Sequence, residues 1–219
     1  MRVLITGSGR GIGLAAAKRF LEQGYEVFGI DLRENPLNCA NYHHYQLDLR
    51  DFSAFPELPE MDYIFLNAGL QNSDDDIENN LKSTIAVAEK YCQSPVLKSV
   101  LFNASASARN GYEFPAYVAS KAGIVGYMKN LACRLASKGV TVNSLSLGGV
   151  LTSSNKEVMD DPASWEAIMK VTPLKKWASL DEVADWVYFL LVTNKSMSGQ
   201  DVLVDNGEND LNCTFVWPK

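Results

Sequence analysis

Short apolar runs rich in β-branched residues alternate with longer stretches of helical spacing along the whole chain. Val3-Leu4-Ile5, Val27-Phe28-Gly29-Ile30, Tyr63-Ile64-Phe65-Leu66, Val100-Leu101-Phe102, Val140-Thr141-Val142-Asn143-Ser144-Leu145 and Val202-Leu203-Val204 read as buried strands. Tyr45-Gln46-Leu47 is a weaker one, placed third. Between them, Ile12 to Gln23 reads as a helix stopped by Gly24, and Ile77 to Tyr91 as a helix entered from the acidic run Asp74-Asp75-Asp76. Ala116 to Lys138 predicts a long helix stopped by Gly139, and Ser179 or Asp181 caps another that runs to Val192.

Strands that alternate with helices imply a parallel sheet covered on both faces. The expected fold is therefore α/β: a doubly wound, Rossmann-like sheet of about seven strands in a single domain over residues 1–219. Ligands of such sheets bind beyond the carboxyl ends of the strands. Ser153 to Lys176 is too long for an ordinary loop and predicts a substrate lid with a short helix around Ala163 to Val171.

Composition narrows the partners. The chain has 219 residues, 47% apolar and 21% charged, with net charge −6, which suits a soluble globular protein. No basic stripe is present, which argues against nucleic acid. No apolar run reaches the roughly 20 residues of a membrane span, and the N-terminus enters a strand without a leader pattern, so no membrane and a cytoplasmic location are expected. Cys39, Cys92, Cys133 and Cys213 form no Cys-x-x-Cys pair and read as free thiols. His43 and His44 are placed ahead of the third strand with no matching ligand cluster, so no metal is expected.

Two segments carry chemistry. Gly7-Ser8-Gly9-Arg10-Gly11-Ile12-Gly13 joins a strand to a helix, the context in which a glycine turn lets backbone approach a pyrophosphate at a helix N-terminus. Asp31 ends the second strand, where an acid accepts from ribose hydroxyls. Asp31 would repel a 2′-phosphate while Arg10 and Arg33 would attract one, so NAD is favoured with NADP possible. Tyr117 and Lys121 stand four apart, on one helix face, where a neighbouring ammonium favours the phenolate and tunes a proton donor.

Thr6-Gly7-Ser8-Gly9-Arg10-Gly11-Ile12-Gly13, Asn67-Ala68-Gly69, Tyr117 to Lys121, and Ser198-Gly199-Gln200 followed by Val204-Asp205-Asn206-Gly207, in that order, resemble the motifs of the short-chain dehydrogenase/reductase family from Arg2 to about Gly207. The resemblance implies hydride transfer between a nicotinamide cofactor and a small ketone or secondary alcohol, with Tyr117 as general acid and base. It implies cofactor contacts from Gly7, Gly9, Arg10, Gly11, Ile12, Gly13 and Asp31, from Asp48 and Leu49 at the adenine, and from Asn67, Ala68 and Gly69. Tyr117 and Lys121 would meet the nicotinamide ribose, and Val150 and Thr152 its carboxamide. Asn80 would hold a water in a proton relay, and the family's association through the long helix implies a homodimer or homotetramer, for which Ala119, Ala122, Gly123 and Gly126 offer small surfaces.

Three departures stand out. Ser105 and Ser107, 12 and 10 residues before Tyr117, compete for the family's serine position, with Ser105 preferred. Leu147-Gly148 replaces the family's Pro-Gly. Gly69 and Asn80 are 11 positions apart, a short segment that trims one wall of the pocket. Two other readings share the scaffold: an epimerase or dehydratase that retains its nicotinamide, and a non-catalytic dinucleotide-binding regulator. Trp186 is expected to pack, Trp165 and Trp177 to line the lid or pack, and Phe215 and Trp217 in the tail to cover a pocket or pack locally.

Overall fold

The computed structural model describes residues 1–211. The tail expectation for Phe215 and Trp217, and Cys213, lie outside those residues.

Seven strands form one sheet in the order 3-2-1-4-5-6-7, every neighbouring pair parallel. They are β1 (Arg2–Thr6), β2 (Glu26–Asp31), β3 (Tyr42–Gln46), β4 (Tyr63–Leu66), β5 (Ser99–Asn103), β6 (Thr141–Leu147) and β7 (Asp201–Val204). The central strands are buried along nearly their whole length, which is why they read as unbroken apolar runs. The order reverses between β1 and β4, which opens the crevice where ligands of this architecture sit.

Helices cover both faces. One layer holds α1 (Gly11–Glu22) and α7 (Leu180–Tyr188), whose Ala16, Ala17, Phe20, Val183 and Val187 pack on Val3, Ile5 and Val27. The other holds α2 (Ser83–Tyr91) and α4 (Pro115–Leu135), whose Val87, Ala88, Ile124, Met128 and Leu131 pack on Leu4, Ile64, Val100 and Phe102. A short α3 (Ser107–Asn110) precedes α4. Gly24 and Gly139 have φ of +76° and +72°, the left-handed conformation that ends a helix and suits glycine.

Four expectations need correction. The third strand starts at Tyr42 and contains His43 and His44. It is an edge strand, so its pattern is only partly apolar; His43 stacks on Phe28 and bonds Glu26 at 2.8 Å. The segment from Ile77 begins as expected after the acidic run, but it opens with a π-helical turn, and Asp76 spends its carboxylate on the Ser73 N–H at 3.0 Å and hydroxyl at 2.5 Å. Trp186 is 39% exposed because the spacing of α7 turns Val183 and Val187 inward and leaves it outside, against Phe189. Gly123 is taken up within the chain, where Leu81 fills the space of its missing side chain, while Ala119, Ala122 and Gly126 remain exposed on α4.

The stretch from 153 to 176 carries α5 (Lys156–Asp160) and α6 (Pro162–Val171), the second close to the expected helix. Ser179 forms a capping box with Glu182 at the start of α7.

Candidate active site

The turn after β1 is built for close approach. Gly7 and Gly11 have φ of +69° and +52°. A side chain on Gly13 would stand 2.1 Å from the Gly7 carbonyl, and one on Gly9 would stand 2.7 Å from the Asp31 carboxyl carbon. Asp31 is buried and accepts from the Gly9 N–H at 2.8 Å and the Arg33 N–H at 2.8 Å. Helix α1 begins with no side-chain cap from Arg10 and no acid in its first turn, so its N-terminal N–H groups, Ile12 and Gly13 among them, face the turn uncompensated. Free N–H donors, a positive helix end and a rigid carboxylate at the next strand fit a dinucleotide's pyrophosphate and ribose.

The ends of β1, β4 and β5 are pinned together beside this turn. The Thr6 hydroxyl accepts from the N–H groups of Asn67 and Ala68 at 2.9 and 3.1 Å, and the Asn67 amide donates to Thr6 and Gly7 carbonyls. Asn103, at the end of β5, donates to Asn67 at 3.0 Å. Asp48, beyond β3, is held by Arg50 through bonds of 2.5 to 3.0 Å, and Leu49 packs on the core beside it.

Tyr117 and Lys121 lie on α4 with the Lys121 Nζ 5.6 Å from the phenol ring centre. The ammonium donates to the main-chain carbonyl of Asn103 at 2.9 Å. Gly69 makes room for the group: a side chain there would meet Asn80 Oδ1 at 3.0 Å and Lys121 Nζ at 3.4 Å. Asn80 sits in a single π-helical turn (Ile77–Lys82) ahead of α2. Its amide is committed, donating to the Leu70 carbonyl at 2.8 Å and to Ser120 at 3.2 Å while accepting from the Leu70 N–H at 2.7 Å. These bonds fold the short segment after Gly69 back onto the helix.

Of the two serines, Ser105 is the one that acts on Tyr117, its hydroxyl holding the phenol's pKa down, whereas Ser107 donates to the Ser105 hydroxyl at 2.9 Å. Ala106 lies between them at the start of α3.

The electrostatics differ from the expectation of a phenol eased by its lysine. Burial is the largest influence on Tyr117 and pushes it up to about 12, with the charges of Glu113 and Asp76 adding in the same direction. Burial likewise brings Lys121 down to about 8 against the pull of those two carboxylates. Loss of water disfavours the charged form of each group, and here it outweighs their proximity.

After β6, Gly148 is required: a side chain would meet Asp205 Cβ at 2.6 Å. Leu147, in the place of a proline, is a strand residue paired with Val204. The Trp177 indole lies directly on Gly149 and meets Trp165 of α6 edge-on at 5.1 Å, which joins α6 to the loop holding Val150 and Thr152. Val150 bridges to Ala178, and its carbonyl accepts from Thr152 and from Asn155.

Sequence reasoning passed over Asn103, Gln71, Glu113 and Glu208. A polar residue closing an apolar strand was a usable signal for Asn103. Glu113 carried none, since only the folded chain gives it a φ of +80° and a bond from Gln71 at 2.9 Å.

Comparison with known proteins agrees with this fold. A family model described as enoyl-(acyl carrier protein) reductase matches residues 54–209. The chain is 28% identical to a 3-oxoacyl-(acyl-carrier-protein) reductase of Buchnera aphidicola over 93% of its own length and 95% of the relative's. Its fold matches a solved short chain dehydrogenase family protein from Francisella tularensis with TM-score 0.86 and 26% identity, covering 96% and 99% of the two chains. A 4-hydroxyisoleucine dehydrogenase complexed with NADH has the same fold, with TM-score 0.86, 24% identity and coverage of 96% and 99%.

Proposed function

The chain belongs to the short-chain dehydrogenase/reductase family and is an NAD(P)-dependent oxidoreductase acting on a ketone or secondary alcohol, and from that premise we propose that Tyr117 is its general acid and base. The observation that carries the assignment is the convergence of Tyr117, Lys121, Asn80 and Ser105 beyond the carboxyl ends of β4 and β5.

A bound nicotinamide dinucleotide supplies the hydride donor or acceptor. The N–H groups at the start of α1 and the turn from Gly7 to Gly13 would hold its pyrophosphate, Asp31 its adenosine ribose, and Val150 and Thr152 the far end. Asp31 favours NAD over NADP: its carboxylate is buried and fixed by two main-chain N–H groups, and Arg33 stands 3.8 Å from it, already facing a negative charge. Asp48, Leu49, Asn67 and Ala68 complete the adenine side.

At neutral pH Tyr117 carries its proton and is fit to donate it to a developing alkoxide. Acting as a base requires positive charge beyond what Lys121 alone provides, and that charge must arrive with the ligands. Ser105 orients the substrate oxygen, with Ser107 orienting Ser105. Lys121, joined to the Asn103 carbonyl and lying against Gly69 beside Asn80, passes the proton toward water. Helices α5 and α6 would form the lid, braced where Trp177 rests on Gly149. The exposed small residues Ala119, Ala122 and Gly126 support association of copies through α4.

Titration with NADH and with NADPH, followed by a panel of ketones and secondary alcohols, tests this reading. Stoichiometric consumption of cofactor is expected, with NADH bound more tightly. Binding without net consumption would favour the epimerase or dehydratase reading, and absence of both cofactors from the site would defeat the proposal.

A further inference from the structure

Three loops meet around Glu113, four positions before Tyr117. The segment after β4 brings Gln71, the segment after β5 brings Glu113, and the turn after β7 brings Glu208. The Gln71 amide donates to Glu113 at 2.9 Å. Asn110 bonds Asn209, and the Arg109 guanidinium lies 3.4 Å from Asp210, which ties the β5 loop to the β7 turn. The end of the lid joins from the other side: the Leu174 N–H donates to the Asn206 carbonyl, and Pro173 packs over Gly207.

The shortened segment after Gly69 makes the first contact possible. Asn80 folds Leu70 back by two bonds of 2.7 and 2.8 Å, which leaves the next residue, Gln71, at the rim. Glu113 reaches it from a backbone with φ of +80°, a conformation that costs a non-glycine residue energy and aims this side chain at the mouth.

We propose, on the basis of the oxidoreductase reading above, that Glu113 selects the substrate by charge, accepting a secondary alcohol or ketone with a protonated amine beside the reacting carbon over its neutral and anionic counterparts. Gln71 occupies Oε2 of Glu113 and steadies the carboxylate. The carboxylate lies near enough to Tyr117 and Lys121 for its charge to act on both. Glu113 is exposed as a residue, yet loss of hydration around its carboxylate, joined by the charge of Glu208, raises its pKa against the Gln71 hydrogen bond and the charge of Lys121. Asp76 adds a third negative charge facing Tyr117 and Lys121 from the β4 side. Lys121 is the cation that acts on Glu113, and burial weakens its hold on its proton. A substrate ammonium at the rim relieves the repulsion between Glu113 and Glu208; a substrate carboxylate or phosphate adds to it.

In the oxidative direction a bound nicotinamide would take the hydride from the carbinol carbon, and Tyr117, having first released its own proton toward water past Lys121, would take the hydroxyl proton. The C–O bond becomes the ketone carbonyl, and the ammonium takes no part.

The test uses three alcohols of one shape with NAD: 1-aminopropan-2-ol, propane-1,2-diol and lactate, assayed at mildly alkaline pH. The expected order of kcat/KM is amine, then diol, then lactate. Glu113→Gln keeps an acceptor for Gln71 and removes the charge; it is expected to cut the preference for amine over diol by about tenfold, the loss typical of a hydrogen bond to a charged group. Glu208→Gln should move the ratio in the same direction by less. A parent enzyme that prefers lactate, or a ratio unmoved by Glu113→Gln, overturns the proposal. Tight binding of NADH with no turnover of the amine also overturns it while leaving the oxidoreductase reading intact, whereas loss of cofactor binding would strike that reading instead.

Discussion

The Lys121 ammonium donates to the main-chain carbonyl of Asn103 at 2.9 Å, and this bond joins the helix that carries Tyr117 to the end of the strand that leads to Ser105. Lys121 is thereby positioned by backbone, in a place too dry to hold its charge at the ordinary lysine value. Its folded pKa of about 8 lies below 10.5, so above about pH 8 the folded chain binds fewer protons here than the unfolded chain. Stability contributed by this group therefore rises with pH from about 8 to about 10.5. Relative to Lys121→Met, the parent should gain up to about 3 kcal/mol across that window. Urea unfolding of both proteins at a series of pH values checks it, and parallel curves would contradict it.

Ser105 and Ser107 should separate in kinetics. Ser105→Ala is expected to lower kcat/KM by about 100-fold, in the range found when one donor to a developing oxyanion is removed. It should also move the pH limb that reports Tyr117 upward, because Ser105 holds that pKa down. Ser107→Ala leaves the Ser105 hydroxyl in place and should cost much less. Equal losses from the two substitutions would show that the pair acts as a unit.

Cofactor choice should turn on Asp31. Asp31→Ala removes the carboxylate and frees Arg33, now 3.8 Å from it. The ratio of NADPH to NADH affinity should rise by at least about tenfold, the scale of one charge-assisted bond lost and one repulsion relieved. Fluorescence titration with both cofactors measures it, and an unchanged ratio would place the discriminator elsewhere.

Gly13→Ala should be among the costliest small changes in the chain. The added methyl would stand 2.1 Å from the Gly7 carbonyl oxygen, a main-chain atom that cannot swing away. A loss of about 1–3 kcal/mol in unfolding free energy is expected, as for overpacked cores. Thermal unfolding at the parent's midpoint would contradict the tight turn.

Much of this architecture was legible in the sequence because central parallel strands are buried on both faces and announce themselves as apolar runs. Tyr42 to Gln46 was misplaced for the opposite reason: at the sheet edge, His43 and His44 satisfy themselves with Glu26, Phe28 and Arg33 and leave little hydrophobic signal. The i,i+4 spacing paired Tyr117 with Lys121 from sequence, since spacing on a helix is a property of sequence, while Asn80 entered only through the family resemblance. Their pKa values were not legible, because burial of a phenol and an ammonium is set by the strands and loops packed around them. Glu113 was hidden for a related reason: its role depends on a left-handed backbone and on Gln71, 42 positions away.

The central claim is that the Tyr117 hydroxyl moves the proton at the reacting oxygen. Tyr117→Phe, assayed for turnover and for NADH binding in the same preparation, tests it most directly. The account predicts that kcat falls by at least about 100-fold, the usual contribution of a positioned acid or base, with the NADH dissociation constant changed by no more than a few-fold. A variant that binds NADH and keeps most of the parent's turnover would contradict it.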